Sequence, residues 1–133
     1  MQLVLVSILA LAAPFFLWFP ERIFGIPYIL EEAAKLFFVS LFPKELRLKN
    51  KIVLATSLGV LFSLSEQVLY IFNLGSFGQE LFFKRLILVS LMHSLTFVVI
   101  VISGHRKKSG LLIGFLLASL IHFLFNRSIV LML

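Results

Sequence analysis

Glu31, Glu32 and Lys35, then Glu66, then His93, and finally His122 with Asn126 stand in four separate apolar stretches of a 133-residue chain. Acids, imidazoles and an amide are the groups that take up, hold and pass on protons, and a carboxylate beside an imidazole can activate water for attack on a carbonyl. An ionisable group at the centre of a bilayer costs roughly 2.5–3.5 kcal/mol, so a small chain does not accumulate them without a use. For any one of them alone, the competing use is interhelical hydrogen bonding. Their spacing across four stretches points to a shared site instead. Cysteine is absent, which removes disulfides, thiolate metal sites and a cysteine nucleophile, and every acidic residue is Glu.

The elements that must position these groups are membrane spans. With 61% hydrophobic and 14% charged residues and a mean hydropathy of +1.12, the composition is that of an integral membrane protein, an all-α bundle of about five transmembrane helices. Residues 1–133 are read as one transmembrane helical domain with spans at about 2–19, 27–42, 52–73, 81–103 and 111–132. Pro20 is expected to stop the first run, Pro27 to open the second helix and Pro43 to close it. Residues 1–19 are alternatively a signal peptide, since Ala12 and Ala13 resemble a cleavage region, although Lys and Arg are missing from the n-region. Gly59, Gly75, Gly78, Gly104 and Gly110 read as turns or packing notches, because none belongs to a phosphate-loop pattern. The 16 Phe residues read as lipid-facing or packing surface.

The net charge of +6 does not indicate a nucleic-acid partner, because the basic residues sit mainly in short loops. Lys44, Arg47, Lys49, Lys51, Arg106, Lys107 and Lys108 fall on one side of a five-span arrangement, and Arg22, Lys84, Arg85 and Arg127 on the other, which favours a cytoplasmic N-terminus. Lys84 and Arg85 stand at a helix start from which they can snorkel. At ~1.5 Å per residue, Glu31 lies about 12 Å from the non-cytoplasmic end of its span, Glu66 about 10 Å, His93 about 10–18 Å, His122 about 15 Å and Asn126 about 9 Å. Alternate helices run in opposite directions, so this agreement is not imposed by sequence position, and one polar cavity is expected. Residues four apart share a helix face, which couples Glu31 with Lys35, Glu66 with Tyr70 and His122 with Asn126. Gly114 and Ala118 continue the last series, so small residues admit a neighbouring helix just below the polar pair. Ser90, His93 and Thr96 form a comparable stripe. Lys35 is assigned a structural role, pairing with the diacid so that one carboxylate stays ionised.

These residues resemble a known group. Glu31-Glu32-Ala33-Ala34-Lys35 looks like the EExxK motif of the PrsW family of intramembrane proteases, and Ser65-Glu66-Gln67-Val68-Leu69-Tyr70 looks like that family's second motif. His93 and His122-Phe123-Leu124-Phe125-Asn126 look like its later histidine and HxxxN motifs. PrsW is similar in turn to the type II CAAX prenyl endopeptidases and the CAAX-like bacteriocin-processing proteases. The resemblance runs from about Ile23 to Asn126 in the family's motif order. Family members usually have more spans, and CAAX-type relatives carry a histidine where this chain has Glu66.

The resemblance implies peptide-bond hydrolysis in or near the membrane, by a glutamate protease of a prokaryotic cytoplasmic membrane. Glu31 would be the general base, Glu32 would orient it or share the proton, and His93 would position water or protonate the leaving amine. His122 and Asn126 would stabilise the oxyanion, Glu66 would orient a histidine, and Lys35 and Tyr70 would support the site. No cofactor is expected; zinc is the open alternative, with Glu66, His93 and His122 as a His2Glu set. The expected partners are the lipid bilayer, a membrane-anchored or transmembrane peptide substrate, and a second copy or another membrane protein completing a minimal core. Two other classes stay open: a proton- or ion-translocating protein, and a non-catalytic membrane scaffold subunit.

Overall fold

The apolar runs form helices. In the computed structural model, which describes residues 2–74, 79–105, 107 and 109–132, the chain folds into α1 (Gln2–Phe24), α2 (Pro27–Ser40), α3 (Leu48–Leu74), α4 (Gln79–Gly104) and α5 (Ser109–Met132). No strand occurs among the described residues. Gly75 and Gly78, and the loop charges Arg106 and Lys108, lie outside them. Four helices, α1, α3, α4 and α5, are long and apolar enough to cross a membrane, consistent with a membrane protein. The fifth helix, α2, has 14 residues, about 21 Å at the α-helical rise, against a hydrocarbon core of about 30 Å.

Helices α3, α4 and α5 begin earlier than expected, at Leu48, Gln79 and Ser109, and two other boundaries differ for a local reason. Helix α1 does not stop at Pro20 but runs through both Pro14 and Pro20 to Phe24. A proline's φ suits a helix; its cost is one missing hydrogen bond and a local clash, whereas an unravelled backbone in lipid would leave several polar groups unpaired. The stop comes at Gly25, whose φ of +67° is the left-handed conformation that glycine adopts without strain. Pro27 then stands in the first turn of α2, where its missing N–H costs nothing. Helix α2 ends at Ser40, two residues before the expected 42, because Pro43 disfavours helical geometry in the residue before it.

The bundle is built around α3 and α4, which pack along each other, with α1 against α3 and α5 against α4. The short α2 touches α1, α4 and α5, so its residues are enclosed on several sides. Glycine makes the close approach possible. A Cβ on Gly59 would stand 2.5 Å from both the Cα and the backbone N of Ser94 on α4. Hydrogen bonds follow along the same seam, from Ser94 Oγ to the Thr56 carbonyl at 3.1 Å and between Ser63 and Ser90 at 2.5 Å. Gly114 plays the same part between α5 and α4, where an added Cβ would stand 2.9 Å from the Cα of Ile100.

Burial runs opposite to that of a water-soluble protein. Phe16 and Phe72 are 77% and 81% exposed, while Glu32, Lys35 and His93 are fully buried. An apolar core of Val6, Ala10, Phe38, Ala55, Leu58, Phe62, Phe97 and neighbours packs beside the polar groups. Replacing Gly59 with Val should force α3 and α4 apart and destabilise the bundle by about 1–3 kcal/mol. Thermal unfolding of the detergent-solubilised protein measures this, with a lowered Tm as the expected outcome.

Candidate functional site

Because α2 is wedged into the bundle, its three charged residues meet polar groups of α4 and α5. Lys35 is fully buried and donates to Glu32 Oε1 at 2.5 Å and to Thr96 Oγ1 at 2.9 Å. Thr96 in turn donates to the His93 carbonyl at 3.1 Å. Glu32 Oε1 also meets His122 Nδ1 at 2.8 Å. A Lys-paired Glu32 is a carboxylate and only accepts, so Nδ1 of His122 carries the proton and its Nε2 is turned toward Glu31.

A second relay mirrors the first. Arg85 Nη2 donates to Glu66 Oε1 at 2.8 Å, and Glu66 Oε2 lies 2.6 Å from His93 Nε2. Phe62 packs against the His93 ring at 4.9 Å between centroids. The two imidazoles stand nearly perpendicular with centroids 5.4 Å apart. Each imidazole is thus held by a carboxylate that a cation neutralises: Lys35–Glu32–His122 on one side and Arg85–Glu66–His93 on the other.

Glu31 stands between the relays with no Lys or Arg of its own among the described residues. Its Oε2 atom is buried without a hydrogen-bond partner, 3.7 Å from His93 Nε2 and 3.9 Å from His122 Nε2. An uncompensated buried carboxylate is costly, and such groups concentrate at functional sites.

The arrangement differs from the sequence reading in its pairings. Spacing predicts Lys35 on the face of Glu31, four residues away; it bonds Glu32, three residues away. The reason is the rotation of α2, which turns Glu32 and Lys35 toward α4 and α5 and leaves Glu31 lining a groove with residues of α1 and α3. For the same reason the metal-capable set is not Glu66, His93 and His122. Among the described residues, Glu31, His93 and His122 are the group whose ligand atoms all lie within 4.8 Å of one another. One carboxylate oxygen and two imidazole nitrogens suit zinc, so a metal fits this donor set.

A helix-start position predicts a snorkelling Arg85, yet its guanidinium is turned inward to Glu66 and lies over the Tyr70 ring at 3.8 Å from the centroid. The i+4 relation of Glu66 and Tyr70 brings both to that one cation. Asn126 is half-buried, one turn beyond His122, and makes no hydrogen bond to a described residue. Sequence reasoning misses Glu21, since its place beside Pro20 suggests a span end; it lines the same groove as Glu31 and Glu66. The signal that could have found it is its i+3 relation to Trp18, which puts the acid and the indole on one face of α1.

Removing the cation from one relay tests the electrostatic reading. Lys35→Met should cost about 3–5 kcal/mol by stranding the Glu32 carboxylate, and adding Glu32→Gln should recover part of that loss. Thermal unfolding of the two single variants and the double variant gives the coupling; additive losses would contradict it. Comparison with known proteins adds no constraint on identity: no family model, curated protein or solved structure matches the chain.

Proposed function

We propose that this chain is an intramembrane endopeptidase in which Glu31 activates water. The observation that carries the reading is the Glu31 Oε2 atom, buried, free of hydrogen bonds and 3.7 and 3.9 Å from two imidazole nitrogens. A water at hydrogen-bond length from all three groups fits that spacing. The motif order that resembles PrsW supports the same chemistry.

In the proposed reaction, Glu31 takes a proton from water as the oxygen attacks the scissile carbonyl carbon. The C–N bond then breaks as Glu31 passes that proton to the leaving amine and returns to its carboxylate form, while His93, whose Nε2–H is held by Glu66, lies beside the water. Glu66 and Glu32 keep the two rings in place, at 2.6 and 2.8 Å. His122, when protonated, and Asn126 are the donors for the oxyanion, a contribution of ~3–4 kcal/mol per donor. If zinc were held by Glu31, His93 and His122, it would supply a Lewis acid and a more acidic bound water.

A second reading, proton translocation, is favoured by the two hydrogen-bonded relays of acids and imidazoles that approach each other at Glu31. The two separate in a pair of assays. In detergent, Glu31→Gln should lower cleavage of a panel of quenched-fluorescent transmembrane peptides by on the order of 10²–10⁴ while the unfolding temperature is kept. Unchanged turnover removes Glu31 as the base. In liposomes, proton flux that depends on Glu31 or Glu66 would favour translocation. Adding a chelator to the peptide assay tests the metal: lost turnover, restored by zinc, would show that one is required, with Glu31, His93 and His122 as the group in reach of it.

A further inference from the structure

Between α1 and α3 a cavity of about 150 Å³ opens beside the site, lined by Trp18, Glu21, Glu31, Glu66, Tyr70 and Asn73 among others. Three carboxylates face it. Glu66 is already matched by Arg85, while Glu21 has no ion-pair partner among the described residues. The Glu31 side chain is more than nine-tenths buried, reaches this cavity, and has an oxygen without a hydrogen bond. Two of the three carboxyl groups lining it, Glu21 and Glu31, are therefore paired with no Lys or Arg among the described residues.

A cation shared by these three acids is not a bare metal ion. A metal must touch its ligands together, and among the described residues the groups close enough to do so include neither Glu21 nor Glu66. The spread of these carboxylates suits a larger, organic cation. Trp18 and Tyr70 wall the cavity, each with a guanidinium of the chain over one face, Arg22 at 4.9 Å and Arg85 at 3.8 Å, and aromatic rings of this kind also hold organic cations. Asn73 uses its amide nitrogen on the Leu69 carbonyl at 2.8 Å, which leaves its amide oxygen to accept from an ammonium or guanidinium.

The geometry points to a subsite for a basic side chain, Lys or Arg, of a membrane-embedded peptide, with Glu21 and Glu31 as its counter-charges and Trp18 and Tyr70 as its walls. This rests on the endopeptidase reading for its substrate, and it adds the class of residue selected. Because Glu31 belongs both to this cavity and to the water-activating group, the basic side chain is held beside the scissile bond. It also supplies the positive charge that Glu31 lacks within the chain.

Trp18 is the single tryptophan, so its emission reports occupancy without any turnover. The probes are two synthetic transmembrane peptides free of tryptophan, identical except for one central Lys or norleucine, titrated into the full chain in detergent. The Lys peptide is expected to bind about tenfold tighter. Glu21→Gln should bring the two affinities within about twofold, and Glu21→Asp should keep most of the preference. Equal affinities in the unmodified protein, or no saturable change in Trp18 emission, overturn the subsite. Selective binding without cleavage of either peptide would leave the subsite standing and remove the endopeptidase reading. Cleavage of both with no Lys preference would do the reverse.

Discussion

A carboxylate withdrawn from water has to be matched by a partner, and the interior of this bundle is organised by that requirement. Glu32 is matched by Lys35 and His122, and Glu66 by Arg85 and His93. Glu31 is left over. Two relays, each running from a cation through a carboxylate to an imidazole, meet at Glu31, which has no Lys or Arg partner among the described residues. That leaves its reactivity to be set by the two rings and by whatever enters the adjoining groove.

The fold serves this by placing a short helix where a full span would not fit. Helix α2 is too short to cross a hydrocarbon core, and its 14 residues touch three other helices. Glu32 and Lys35 on it therefore find partners in protein and not lipid. Its limits come from local chemistry: Gly25 in a left-handed turn before it, Pro27 in its first turn and Pro43 after it. Close approach of α4 to α3 at Gly59 and of α5 to α4 at Gly114 then brings His93 and His122 to the same level as the diacid. Large apolar side chains are left for the outer surface, where lipid is a better solvent for them than the polar interior.

Glu31 also links the site to the groove between α1 and α3. One of its oxygens faces the imidazoles, and the side chain reaches a cavity walled by aromatic rings and further acids. Binding and chemistry would thus share one carboxylate. In a low-dielectric interior a charge placed in the groove acts strongly on the site, because little water is present to screen it.

Much of this was legible in the residues alone. Hydropathy marked the helical stretches, and polar groups inside them had to face inward, since facing lipid is so costly. Residue spacing along oppositely directed helices put Glu31, Glu66, His93 and His122 at a common depth. What spacing could not decide was who bonds to whom. Steps of three and of four residues both fall on one helix face, so the choice of Glu32 over Glu31 as the partner of Lys35 waited on the rotation of α2. That same rotation put Glu31, not Glu66, within metal-bonding reach of both histidines. Arg85 turned inward and Glu21 joined the groove for a related reason: a residue near a span end can reach either the surface or the interior, and only the packed neighbours determine which. The sequence by itself determined that a buried polar site exists and which residue types build it, because the cost of exposing charge to lipid depends on composition and depth. The tertiary structure decided the pairings, because they depend on helix rotation and on interhelical distances of a few ångströms.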